Sequence, residues 1–238
     1  MIHEPVKLTY DYEIEYGKRG CTSICGVDEA GRGPLAGPVV AAACILPVGC
    51  EIEGLNDSKK LTEKKREALY DIICERAVAY AIAEASPEEI DRLNILNATM
   101  LAMARAIERL PVRADFALVD GNCVRNFPIP AVTIVKGDAK SPSIAAASIL
   151  AKVTRDRLCL EMDAMYPEYD FKKHKGYPTK KHRELVMKYG PCPLHRRSFL
   201  KFGAAASAAG MMAAAPVAAH AAQADASAAA DEENCLLD

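Results

Sequence analysis

Apolar residues fall into short continuous runs and longer stretches with a helical period, and the two kinds alternate along the chain. Residues 24–28, 39–46 and 77–85 are short runs that predict strands, although the alanine-rich third is also open to helix. Residues 62–76 carry a helical period, with Thr62 as N-cap and Leu69, Ile72 and Ile73 on one face. Residues 86–109 predict one long helix opened by Ser86-Pro87-Glu88-Glu89, which supplies an N-cap, a proline at the first helical position and an acid at the third. Strands follow at 115–120 and 131–136, joined by a loop containing Pro128 and Pro130. Ser141-Pro142 opens a helix to about Met165, and 180–189 is a short basic helix. Alternating strands and helices imply an α/β fold with a mixed sheet. Residues 1–22 read as a short, polar and mixed lead-in instead of a separate domain.

Three strands deliver a carboxylate near the carboxyl end: Asp28-Glu29, Asp120-Gly121 and, after Lys136-Gly137, Asp138. Open α/β sheets bind ligands at that end. A single Asp-Gly is more often only a turn dipeptide, and adjacent acids are usually a solvated patch. On a strand only one of two successive side chains enters a shared site, so the repetition across three strands is what points to chemistry. The first pair runs directly into Gly31-Arg32-Gly33-Pro34. Carboxylates beside open backbone N–H groups and a guanidinium suit a hard divalent cation and a phosphodiester. The spacing of Gly31, Gly33 and Gly37 misses the dinucleotide fingerprint by one residue, and Pro34 would sit in the expected helix start.

Charge sharpens this picture. The 238 residues carry a formal net charge of −2, yet Asp225, Asp231, Glu232, Glu233 and Asp238 face no Lys or Arg beyond Lys201, so the chain up to that point is net basic. From Asp170 to Lys201 ten Lys or Arg, among them Arg196 and Arg197, oppose Asp170 and Glu184, which predicts a phosphate-tracking surface or else a solvated basic face. His174, His182 and His195 fall in the same stretch with no zinc spacing and read as phosphate-side or packing residues. Lys152 and Arg155 either meet phosphate or pair with Asp156 and Glu161. Nine scattered cysteines and no N-terminal export signal predict a cytoplasmic protein without disulfides.

The blocks 26–34, Asn56-Asp57-Ser58-Lys59-Lys60-Leu61, Val119-Asp120-Gly121-Asn122, Lys136-Gly137-Asp138, 144–156, His174-Lys175-Gly176-Tyr177-Pro178-Thr179 and His195-Arg196-Arg197-Ser198-Phe199 resemble, in order, the motifs of bacterial ribonuclease HII. The resemblance covers about residues 20 to 200 and implies a ribonuclease H-like five-stranded sheet flanked by helices. It implies four catalytic acids, Asp28, Glu29, Asp120 and Asp138, with Asp28, Glu29 and Asp120 as ligands of one or two Mn²⁺ or Mg²⁺ ions. Asp138 would ligate a second metal or position water. Gly31, Arg32, Gly33 and Tyr177 match the positions that recognise the junction between a ribonucleotide and the next deoxyribonucleotide. The implied partners are RNA/DNA hybrid and duplex DNA containing ribonucleotides, cut 5′ to the ribonucleotide; a monomer is expected, with no membrane and with a sliding clamp left open. Two alternatives stand beside it. Ribonuclease HIII has an added N-terminal domain for which few residues precede the first strand, and an inert hybrid-binding module would not need all four acids.

The catalytic domain is thus expected at 23–201 after the lead-in 1–22. Residues 202–238, with 17 alanines from Gly203 onward, predict a low-complexity, disordered tail. Arg196-Arg197-Ser198-Phe199-Leu200-Lys201 and the apolar run after it resemble a twin-arginine export signal, but such signals act at the N-terminus.

Overall fold

Strand β1 (Ile24–Ala30) lies at the middle of the sheet. In the computed structural model, which describes residues 8–201, β1 pairs antiparallel with β2 (Val39–Ile45) and parallel with β4 (Phe116–Asp120). Beyond them β3 (Ala79–Ala85) pairs antiparallel with β2, and β5 (Ala131–Ile134) parallel with β4, giving the order β3-β2-β1-β4-β5. The fold is therefore the expected mixed five-stranded sheet, and the alanine-rich run 79–85 is a strand.

Small side chains on β2 explain how helices cover both faces. Val39-Val40-Ala41-Ala42-Ala43-Cys44-Ile45 is buried throughout. Ala41 and Ala43 face a cluster with Ala98, Ala102 and Met103 of α4 (Ile95–Glu108), while Ala42 and Cys44 face one with Ile149 and Leu150 of α5 (Pro142–Met165) and Leu69 and Ile73 of α2 (Glu63–Arg76). Helix α5 comes closest at Gly26, where an added Cβ would overlap the Ser143 carbonyl carbon. Ile72, grouped with Leu69 and Ile73 by its period, is instead 39% exposed.

The expected helix 86–109 is two. The Ser86 capping box starts α3 (Pro87–Leu93), but Asn94 adopts φ +67° and its side chain accepts from Asn97 N at 3.1 Å, ending one helix and capping the next. Asn tolerates this left-handed φ because its short side chain can bond locally. Within the lead-in, Asp11–Lys18 forms helix α1. Its Glu13 is buried and accepts from Ser141 Oγ at 2.6 Å and Ser143 N at 3.3 Å, satisfying donors at the start of α5. After α5 come the single turn α6 (Phe171–His174) and the basic α7 (Lys180–Tyr189), capped by Thr179. Among the described residues no helix is long and apolar enough to cross a membrane. The alanine-rich tail expected at 202–238 lies outside the described residues.

Candidate active site

Asp28 and Asp120 meet because of strand register. One residue before each, Val27 and Val119 are paired neighbours on parallel strands, so the two aspartates stand side by side. Alternation gives Asp28 the face of Gly26, against α5, and Asp120 the face of Leu118, which packs on Ile144 of α5. Asp138 is expected at a strand end but arrives differently. Strand β5 stops at Ile134, Lys136 turns left-handed at φ +55°, and Asp138 sits in a 3₁₀ turn, Gly137–Ala139. That turn is tied to the sheet by Gly137 N donating to Asp120 Oδ1 at 2.7 Å. Carboxylate oxygens of Asp28, Asp120 and Asp138 lie within 4.8 Å of one another, and among the described residues this is the only such group of metal-competent side chains.

Alternation sends Glu29 to the opposite face, and its carboxylate is not part of this group. It pairs with Arg32 Nη1 at 3.6 Å, while its amide donates to Asp28 Oδ1 at 2.7 Å. The three clustered acids are therefore Asp28, Asp120 and Asp138, whereas the expectation named Asp28, Glu29 and Asp120 as metal ligands and gave Asp138 a second metal or a water.

Burial drives the Asp28 carboxyl well above its usual range, with the charges of Glu29 and Asp120 adding to it. Asp138 is raised by burial, then by Asp120 and Asp57, and Glu29 by burial against the opposing charge of Arg32. Carboxylates crowded in this way hold mutual repulsion that a cation would relieve. The donors are all oxygen, which suits Mg²⁺ or Mn²⁺ over a soft metal.

The cleft beside Asp120 and Asp138, about 350 Å³, is also lined by Asp57, Lys59 and Lys136. Asp57 caps the 3₁₀ turn Ser58–Lys60 by accepting from Lys59 N at 2.9 Å, which aims Lys59 Nζ to 3.7 Å from Asp138 Oδ2. Burial works against the Lys59 ammonium, but Asp28 and Asp138 outweigh it and raise its pKa above the usual 10.5. Ser58 Oγ meets Ser148 Oγ of α5 at 2.8 Å, and the Ser148 side chain slightly offsets the rise of the Asp28 carboxyl. None of these was named as a site residue from sequence, although the blocks 56–61, 136–138 and 144–156 that contain them were among the family-like motifs, which was the available signal. A second cleft, about 380 Å³, lies at the other end of β1 and β4, near Thr22, Asp115 and Pro130.

Gly31, Arg32 and Gly33 follow β1 directly, and Gly33 faces the Tyr177 ring, 3.5 Å from where a Cβ would stand. Tyr177 is 44% exposed, so its ring is available at the surface. At Gly31 the reason for glycine is internal: φ is +99° and a Cβ would overlap the Arg155 side chain. Arg155 therefore meets no phosphate; it is buried, and Lys152 of the same helix pairs with Asp156. His182 and His195 are packing residues, buried and joined Nε2 to Nε2 at 3.1 Å. Cys192 N donates to His195 Nδ1, which leaves His195 Nε2 as donor to His182 and His182 Nδ1 as donor to Tyr177 O at 2.9 Å. Arg196, counted with the phosphate-tracking residues, is fully buried.

A family model described as ribonuclease HII matches residues 25–202. A protein named ribonuclease HII from Idiomarina loihiensis is 61% identical over 176 residues, covering 74% of this chain and 94% of that one. The crystal structure of ribonuclease H2 from Pyrococcus horikoshii is similar at a TM-score of 0.62 and 30% identity, over 75% of this chain and 94% of that one. The ribonuclease HII of Archaeoglobus fulgidus, solved in a complex with PCNA, also scores 0.62, at 27% identity over 75% of this chain and 95% of that one.

Proposed function

The chain belongs to the ribonuclease HII family, endoribonucleases that act on the RNA of RNA/DNA hybrids, and from that membership we propose that it cuts 5′ to single ribonucleotides embedded in duplex DNA and leaves 5′-phosphate and 3′-hydroxyl ends. The observation that carries the reading is the convergence of Asp28, Asp120 and Asp138 within 4.8 Å, with Asp28 on the strand that leads into the Gly33–Tyr177 contact. In this reading Asp28, Asp120 and Asp138 hold one or two Mn²⁺ or Mg²⁺ ions, and Glu29 acts from the neighbouring face with Arg32. When bound, such ions supply an activated water and stabilise the leaving oxygen of an in-line displacement.

The protein's own groups do the rest. Water attacks phosphorus, the bond to O3′ breaks, and O3′ takes up a proton. Lys59, 3.7 Å from Asp138, offers a positive charge to the scissile phosphate. Backbone of the Gly31–Gly33 segment approaches the ribose closely enough to bond its 2′-hydroxyl, the group that separates RNA from DNA. Tyr177 stacks on the following deoxyribose and clashes with a 2′-hydroxyl there. The exposed lysines 172, 173 and 180 track the flanking phosphates. The reading extends to a monomer working in the cytoplasm, and it admits a sliding clamp of the kind in the Archaeoglobus complex.

The test is cleavage of a labelled duplex with one ribonucleotide, beside all-DNA duplex and continuous hybrid, in Mn²⁺, Mg²⁺ or chelator. Metal-dependent cutting on the 5′ side of the lone ribonucleotide is expected. Cutting of the hybrid alone would sink the junction reading and leave a hybrid-specific nuclease.

A further inference from the structure

Arg196 sits in a run of surface cations, yet it is fully buried, and its guanidinium faces no carboxylate at salt-bridge distance among the described residues. It donates instead to five backbone carbonyls. Nε reaches Gly37 O at 2.9 Å, Nη1 reaches Arg32 O at 3.0 Å and Pro34 O at 2.9 Å, and Nη2 reaches Gly31 O at 2.6 Å and Pro38 O at 3.2 Å. All five belong to the loop between β1 and β2, so one side chain dictates the course of that loop. A guanidinium is the side chain with enough donors, in a rigid planar fork, to do this.

The loop is held from other sides as well. Arg155 donates to Ala36 O at 3.2 Å and to Lys175 O at 3.0 Å, linking it to the segment that carries Tyr177. Leu35 N donates to Gly176 O at 2.8 Å, and a Cβ on Gly176 would stand 2.8 Å from Ala36 O, so the two segments touch backbone to backbone. Arg196 is itself anchored from outside. Asp91 of α3 accepts from Arg197 N at 2.8 Å, Ser198 N at 3.0 Å and Ser198 Oγ at 2.5 Å.

We propose that Arg196, anchored through Asp91, is a positioning residue for ribose recognition: it fixes the Gly31–Gly33 backbone and its distance from Tyr177, and takes no part in holding metal. This rests on the reading of that loop and Tyr177 as the wall that recognises the ribonucleotide. Loss of the fork displaces the recognising backbone, and a displacement of about 1 Å can cost ~10²-fold in productive alignment. The carboxylate group stays intact because strand register, not this loop, places Asp28 and Asp120.

The experiment compares full-length wild type with Arg196→Lys, Asp91→Ala and Tyr177→Ala. It measures KM and kcat on the one-ribonucleotide duplex, the preference for that duplex over continuous hybrid, and Mn²⁺ affinity without nucleic acid. Arg196→Lys is expected to raise KM by about ten- to a hundredfold and to change the preference, with Mn²⁺ affinity unaltered. Asp91→Ala should shift the same quantities in the same direction by about threefold. An unchanged KM in Arg196→Lys, or Mn²⁺ affinity falling in step with kcat, overturns the proposal. If Arg196→Lys does not fold, Asp91→Ala decides, and an unmoved KM there overturns it equally. Tyr177→Ala separates the two layers: if it alters the preference and the other two do not, the recognition wall stands and the role of Arg196 falls. If Tyr177→Ala changes nothing, the wall itself is wrong and the proposal falls with it.

Discussion

Two clusters of buried charge lie at the two ends of one short stretch of chain and are treated in opposite ways. Asp28 and Asp138 are 3% and 5% exposed and share their site with Asp120, so repulsion among acids is left standing. Arg196 and Arg155 are as deeply buried, but peptide carbonyls accept from all three nitrogens of Arg196 and from both terminal nitrogens of Arg155, leaving of these six Arg155 Nε alone without a partner among the described residues, and the nearby His182 and His195 are kept neutral by burial. The difference shows what each cluster is for. Satisfied polar groups make a fixed frame, whereas groups left in conflict are poised for something that binds.

The sharpest way to break this contrast is Asp28→Asn. Cleavage should fall by at least ~10³-fold, since a metal-assisted site supplies several kcal/mol of barrier lowering. In chelator the same variant should melt higher than wild type, by about 2–4 °C for each kcal/mol of repulsion relieved. A lower melting temperature would mean that the acids are not in conflict. The Arg196→Lys variant should go the other way and lower it.

Acid titration sharpens the comparison further. The folded values of His182 and His195 are pushed down to about 4 and about 3, first by burial. Their stabilisation is complete above the unfolded value near 6.5 and is lost as pH falls from there through 4 and 3. The raised carboxyls have the reverse sign: without metal, stability falls as pH rises above the ordinary 3.8 of an aspartate. Denaturant midpoints in chelator should therefore show an acid limb that His182→Gln flattens and an alkaline-going decline that Asp28→Asn flattens. The smallest effect is expected of Lys59→Met. Its side chain is 76% exposed, so KM should rise only a few-fold at low salt and the change should vanish at high salt.

Much of the frame was legible in the sequence, because strands ending in aspartate and a proline-started helix at 142 are strong local signals. The helix at Asp11–Lys18 was not, since its buried residue is a glutamate, whose partner Ser141 lies far along the chain. The break at Asn94 was hidden because the helical period continues on both sides of a residue that terminates helices only through its own φ. Asp28 and Asp120 could be placed from alternation, but Asp138 could not, because its position depends on a left-handed Lys136. Arg196 looked like a surface cation among others. Composition cannot show that the loop 31–38 closes around it.

Spacing between Asp28 and Asp120 has one further consequence. It is inherited from the hydrogen-bonded separation of adjacent strands, roughly 4.8 Å, which no side-chain replacement alters. Asp138, on a turn where a Cβ at Gly137 would come within 2.6 Å of Ile144 Cδ1, has its reach set by packing and by the single bond from Gly137 N to Asp120 Oδ1. The three acids thus work as a caliper with one jaw machined into the sheet and one that slides. An engineer seeking to retune the ion this protein accepts should leave the sheet alone and vary the seat beneath residue 137.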